Sequence, residues 1–293
     1  MNENQYRNRW LRRHKQYERI AYKQLIEGFK SVGNSIPFSL ITSTNYNDIL
    51  NSNLNQEQFF NIYHNIYRDI GVIHGKRIGR EINQQTKDFT FNSFLSLFER
   101  ELINWLLQNV MQRVVTVRRT YLENMRTIIT NGLNEGKTIV EISKDLQTKI
   151  NQRGFYRWQA LRIARTETTA AANYAALQSG ISSRIIMDKV WISATDSRTR
   201  TLRKDKYDHL AMNGKRVPQN EDFKVPTKGG FEEMAFAGDP KGNAGNVINC
   251  RCANALVPRR DKDGNLSDIT TGEIITDTTT SSGIEEIISD GPA

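Results

Sequence analysis

Residues 91–130 read FNSFLSLFERELINWLLQNVMQRVVTVRRTYLENMRTIIT. Leu106, Val110, Val114, Val117, Tyr121, Met125 and Ile128 recur every three or four positions, which puts them on one face of a helix. Phe94, Leu95, Phe98, Leu102 and Trp105 carry the same stripe backwards. No glycine or proline lies between Gly79 and Gly132, and no proline between Pro37 and Pro218. Both residues break helices, so their absence permits long ones. The spacing predicts one helix from about Asp88 to Thr130, roughly 60 Å long at 1.5 Å per residue. That length suits an elongated bundle or stalk.

Working outward, a first helix is expected from about Asn4 to Phe29, with Trp10, Tyr17, Ala21, Leu25 and Phe29 inward. Gly33-Asn34 and Pro37 end it. Another spans about Gln56 to Asn83, with Phe59, Ile62, Tyr63, Ile66, Ile70 and Ile73 on one face. Gly71, Gly75 and Gly79 recur within it; they either let a second helix approach closely or weaken the helix end. Thr138 and Glu141 form a capping box for a short helix reaching about Ile150. A further helix, about Phe155 to Gln178, contains Trp158, Leu161, Ala164, Ala171, Ala172 and Ala175, with Gly180 as its stop.

Beyond Gly180 the texture changes. Ile185 to Met187, Val190 to Ile192, Val247-Ile248 and Ala253 to Val257 read as short strands, and Asn213-Gly214 as a turn. Pro218, Pro226, Gly229-Gly230, Gly238, Pro240, Gly242 and Gly245 mark loops. The fold class is therefore α+β. A helical region (1–154) is followed by a small loop-rich α+β domain (155–260) and an acidic Ser/Thr-rich tail (261–293), read as disordered or extended.

The 293 residues carry a net charge of +9, with 38% apolar and 25% charged side chains. The charge is segregated. Residues 261–293 hold Lys262 against eight carboxylates, a net −7, which leaves +16 on residues 1–260. A body that basic is attracted to polyanions, including duplex DNA. No apolar run approaches the ~18 residues of a membrane span. The basic first twenty residues lack the apolar core of a secretory signal. Cys250 and Cys252, one residue apart, are poorly placed for a mutual disulfide. Free thiols fit a reducing compartment such as a cytoplasm.

The densest constellation runs from Arg165-Thr166-Glu167 through Asn173, Trp191, Asp196, Arg198, Thr199, Arg200, His209 and Gly214. It continues through Gly238-Asp239-Pro240 to Asn249-Cys250-Arg251-Cys252. In this order the sequence resembles the Mu F-like phage minor head, or head morphogenesis, protein family. His209 stands further beyond Arg200 than the family pattern has it, because Leu202 to Tyr207 reads as a short basic insertion. The resemblance implies a non-enzymatic minor capsid protein. It would associate with the portal and other head proteins, with copies of itself, or with genomic duplex DNA. It would act in head assembly or DNA packaging and reside in the virion, inside the head near the portal vertex, after assembly in the host cytoplasm. The aromatic first helix, Tyr6, Trp10, Tyr17 and Phe29, is expected to supply interface anchors.

Several residues carry alternative readings. His209, Cys250 and Cys252 are candidate zinc ligands, with Asp196 or Asp208 as the fourth; otherwise they form a packed knuckle, and no cofactor is needed. Arg198, Arg200, Arg203, Lys204 and Lys206 are candidate phosphate contacts. Glu167 is expected to pair with Arg198 or Arg200, or to act as a general base. Two enzyme readings compete with the structural one. A metal-dependent nuclease is prompted by Asp208-His209, and an ADP-ribosyltransferase by Glu99-Arg100-Glu101.

Overall fold

The computed structural model describes residues 2–86, 90–152, 154, 156–268 and the backbone of 274–275. Among the described residues seven α-helices precede the strands. They are α1 (Glu3–Asn34), α2 (Tyr46–Asn53), α3 (Gln56–Thr86), α4 (Phe91–Asn109), α5 (Met111–Asn134), α6 (Ile139–Asn151) and α7 (Arg157–Ser182). Then follow β1 (Met187–Ile192), β2 (Arg216–Pro218), β3 (Phe223–Thr227), β4 (Gly230–Met234), the one-turn helix α8 (Ala244–Val247), β5 (Ala253–Pro258), β6 (Leu266–Ser267) and β7 (Ile274–Ile275). No described helix is long and apolar enough to cross a membrane. The acidic tail expected over 261–293 lies mostly outside the described residues.

The chain divides into two compact units that each draw on separated segments. One is wholly helical and comprises Arg12–Ile70 and Glu101–Thr168. Its centre is aromatic. The Phe29 and Tyr121 rings lie 5.7 Å apart, and the Tyr121 and Tyr156 rings stack at 5.3 Å. Burial would strand the Tyr121 hydroxyl, so it donates to the Phe29 carbonyl at 2.7 Å and meets the Tyr156 hydroxyl at 2.8 Å. Burial also holds the Tyr121 phenol well above its usual pKa. The capping box forms as expected, with Thr138 accepting from the Glu141 amide and Glu141 from the Thr138 amide.

The other unit comprises Met1–Leu11, Gly71–Arg100 and Thr169–Ala293. Its largest sheet is antiparallel, in the order β2-β1-β5. Trp191 pairs with Asn254 and Ile192 with Ala253. The β3–β4 hairpin pairs Val225 with Glu232. Trp191, Met212, Phe223, Val225, Met234, Ala237, Val247, Cys250 and Cys252 form one buried cluster.

Five expectations change. The single helix from Asp88 to Thr130 is interrupted at Val110, between the end of α4 at Asn109 and the start of α5 at Met111. There Asn109 turns its side-chain amide back onto the Trp105 carbonyl at 2.8 Å, competing with the backbone ladder. Gly180 does not stop α7, which runs on to Ser182; Arg184 takes the left-handed conformation instead, at φ 59°. A Cβ on Gly180 would lie 2.9 Å from both Gln219 and Leu256, so this glycine serves close packing. Val247-Ile248 closes α8 rather than forming a strand. Ile73, expected on the apolar face of its helix, reaches solvent. Tyr6, Trp10, Tyr17 and Phe29 are buried in the chain itself and are not free interface anchors.

Gly71 and Gly75 take the close-approach reading. A Cβ at Gly71 would sit 2.1 Å from Phe98 Cζ, and one at Gly75 2.0 Å from Phe94 Cζ. The two rings are buried and stacked at 5.3 Å, so neither swings aside freely. Gly75→Ala is therefore expected to lower stability by about 1–3 kcal/mol through overpacking, despite the ~1 kcal/mol that alanine adds to helix propensity. Gly229→Ala, which meets nothing within 4 Å, serves as the control. Urea unfolding of both variants checks this.

Candidate functional site

The Asn249–Cys252 segment turns sharply because Asn249 adopts a left-handed φ of 58°. Helix α7 secures it from one side. Thr169 donates its hydroxyl to the Cys250 carbonyl. The Asn173 amide donates to the carbonyls of Ala237, at 2.7 Å, and Cys252, at 3.1 Å, and its oxygen accepts from the Asn254 amide at 3.0 Å. Helix α1 braces the same segment. The Trp10 indole donates to the Arg251 carbonyl at 2.8 Å, and the Tyr6 hydroxyl to the Asn254 carbonyl at 3.0 Å. No spacing in the sequence announces these two partners, since they lie at opposite ends of the chain.

The turn brings Cys250 and Cys252 together with His209. All three are buried, and their donor atoms lie within 4.8 Å of one another. His209 Nδ1 is 3.7 Å from the Cys250 sulfur and 3.5 Å from the Cys252 sulfur. The Trp191 ring meets the imidazole edge-on, with centroids 5.4 Å apart. On the far side of the ring, Nε2 lies 2.5 Å from Asn246 Oδ1. Asn246 in turn donates to Glu232 Oε2. That chain makes Nε2 the protonated nitrogen and leaves the Nδ1 lone pair facing the thiols. Asn246 and Glu232 escaped the sequence reading because a lone Asn in a Gly/Asn-rich loop gives no signal.

The two thiols do not ionise alike. The Cys252 thiol hydrogen-bonded to Cys250, with the Arg200 and Arg251 charges nearby, lowers the Cys250 pKa. That same bond and burial push the Cys252 thiol well above its ordinary value. Neither Asp196 nor Asp208 joins the donor group. Asp196 grips Arg251 with both oxygens, at 2.6 and 2.7 Å, and Asp208 accepts from the Leu202 and Ala211 amides.

The other motif residues also have defined positions. Gly214 and Gly238 take positive φ, and a Cβ on Gly238 would come within 2.8 Å of Thr169. Asp239, just before Pro240, accepts from the Ala235 and Lys241 amides. Thr166 returns its hydroxyl to the Arg162 carbonyl. Glu167 pairs not with Arg198 or Arg200 but with Arg113, at 3.1 Å from each oxygen, and accepts from the Tyr67 hydroxyl at 2.7 Å. Burial and the Glu167 charge together raise the Tyr67 pKa. Arg165 bonds Glu18 at 2.8 Å. In the basic loop, Arg198, Arg203, Lys204 and Lys206 are exposed. Arg200 is turned inward onto the Ile248 carbonyl, with Asp205 at 3.4 Å. Glu99 and Glu101 lie inside α4.

A buried turn held by side chain-to-backbone bonds, with its charged motif residues engaged in ion pairs, is the centre of a small α+β module. Residues 123–255 match the family described as Phage Mu protein F like protein, which is the family of a phage head morphogenesis protein. No curated protein and no solved structure matches the chain.

Asp196 offers a pH test. The Arg251 guanidinium lowers its pKa to about 2. A depressed carboxylate contributes stability that is complete above its unfolded pKa, near 3.9, and is lost as pH falls toward the folded value. Solvent reaches the pair, so the contribution is expected to be at most about 1 kcal/mol. Asp196→Asn should therefore destabilise the protein slightly at pH 7, and the difference from wild type should vanish below pH 2. Unfolding curves across pH check the convergence.

Proposed function

We propose that this chain is a structural minor head protein of a tailed phage that works beside the portal during assembly and meets packaged DNA through its basic loop. The match over residues 123–255 carries the reading. The placement of the motif residues supports a scaffold rather than an enzyme. Asn173, Thr169 and Asp239 serve the backbone, Asn249 sets a left-handed turn, and Glu167, the candidate general base, is tied to Arg113 and Tyr67.

Since the aromatics of α1 are occupied inside the chain, contact with the portal or a second copy falls to side chains that remain outside. Trp158, 77% exposed beside Arg157, is the best anchor of the helical unit, because tryptophan and arginine dominate interface energetics. Co-expression with the portal protein of the same phage should recover the two together, and Trp158→Ala should reduce recovery at least several-fold. Recovery of the portal at background level with the wild-type chain would remove the portal from the reading. Mass spectrometry of purified virions should detect the chain.

For DNA, counterion release predicts weak, sequence-independent binding whose affinity falls steeply with salt. Replacing Arg203, Lys204 and Lys206 by Ala should flatten the log–log salt slope by about 0.9 for each phosphate no longer neutralised. Deleting residues 261–293 should tighten binding, because a tethered polyanion competes for the same cations. Titration of labelled duplex at two salt concentrations measures both. No binding at low salt would assign the charge to protein contacts.

A further inference from the structure

We propose that His209, Cys250 and Cys252 bind one soft divalent cation of the zinc class, which fastens the Ser193–Asn213 loop to the start of β5. The geometry suits such an ion. In a tetrahedral site with Zn–S near 2.3 Å and Zn–N near 2.05 Å, the S···N edge comes to about 3.6 Å. The two S···Nδ1 separations are 3.5 and 3.7 Å. Two thiols thus converge on one nitrogen lone pair. A lone pair accepts one good hydrogen bond, so only one of the two sulfurs can donate to it.

The surroundings complete the arrangement. The bond from Nε2 to Asn246, itself held by Glu232, fixes the tautomer that presents Nδ1 to a metal. The Cys252 amide points at the Cys250 sulfur at 3.5 Å, a contact that delocalises thiolate charge. Binding is balanced in charge. The cation displaces both thiol protons to solvent, and two thiolates with one neutral imidazole leave a centre of zero net charge. A neutral centre escapes the penalty of burying an isolated ion. Among the described residues no fourth His, Cys, Asp or Glu joins the group, so the last position falls to a solvent molecule. The depth of the donors, each no more than 2% exposed, makes the ion structural. It would hold the base of the loop that carries Arg203, Lys204 and Lys206.

The full chain, expressed without a histidine tag, should carry about one zinc per molecule by elemental analysis after gel filtration. Cobalt added to the metal-depleted chain should produce thiolate charge-transfer and d–d absorption. Asn246→Ala keeps all three ligands and should weaken zinc affinity about 10–100-fold. Cys250→Ser and Cys252→Ser should lose the metal. If those two variants do not fold, the cobalt spectrum of the wild-type chain decides. A folded wild-type chain with under a tenth of an equivalent of metal, no cobalt bands and a melting temperature unmoved by zinc or chelator would overturn the proposal. The thiols would then be small apolar groups of the core, and the head-protein reading would stand unaffected.

Discussion

The side-chain amide of Asn173 binds three backbone groups, on Ala237, Cys252 and Asn254, that no strand ladder serves. All of this takes place in the interior, with Asn173 fully buried. A buried carbonyl or amide without a partner costs about 1–3 kcal/mol, so three of them outweigh most single contacts in a domain of marginal stability. The short strands of this unit leave much of its backbone unpaired. Side chains from helices therefore do what a larger sheet would do elsewhere. Thr169 extends the same logic to Cys250, and Trp10 and Tyr6 extend it to Arg251 and Asn254.

Close approach makes such bonding reachable. Helix α7 buries Ala170, Ala171, Ala172, Ala175 and Ala176, whose small side chains let other backbone come near. Gly238 continues that approach where the loop passes Thr169. Small residues and polar clamps are thus one device: the first brings backbone within reach, and the second satisfies it. In the helical unit the equivalent device is aromatic. Tyr121 fills space with its ring and satisfies the Phe29 carbonyl with its hydroxyl.

This economy bears on function. The residues that make up the Mu F-like motif are spent on holding shape, and the charged ones are largely paired with one another or with backbone. In the proposed role the chain would need a rigid surface and compatibility with a polyanionic genome more than a reactive group. The exposed cations of the Arg198–Lys206 loop and the buried turn beneath them fit that division of labour. Ion and loop would be coupled, because His209 belongs to the same loop as the cations.

The sequence by itself determined the helical character of the first half, the change to a loop-rich α+β texture after Gly180, the capping box at Thr138 and the family motif. All four are local signals: apolar periodicity, the absence of breakers, and residue types at fixed short spacings. The grouping of His209 with Cys250 and Cys252 was also legible, because those residue types invite a shared ion. Tertiary structure decided the rest. It chose Arg113 and Tyr67 as the partners of Glu167, placed Tyr6 and Trp10 against the Cys-x-Cys turn, and set Asn246 behind His209. It also interrupted the long helix at Val110 and carried α7 through Gly180. Each of these depends on groups tens to hundreds of residues apart or on competition for one carbonyl. Periodicity records which face of an element is apolar, but not which distant backbone group that face will meet.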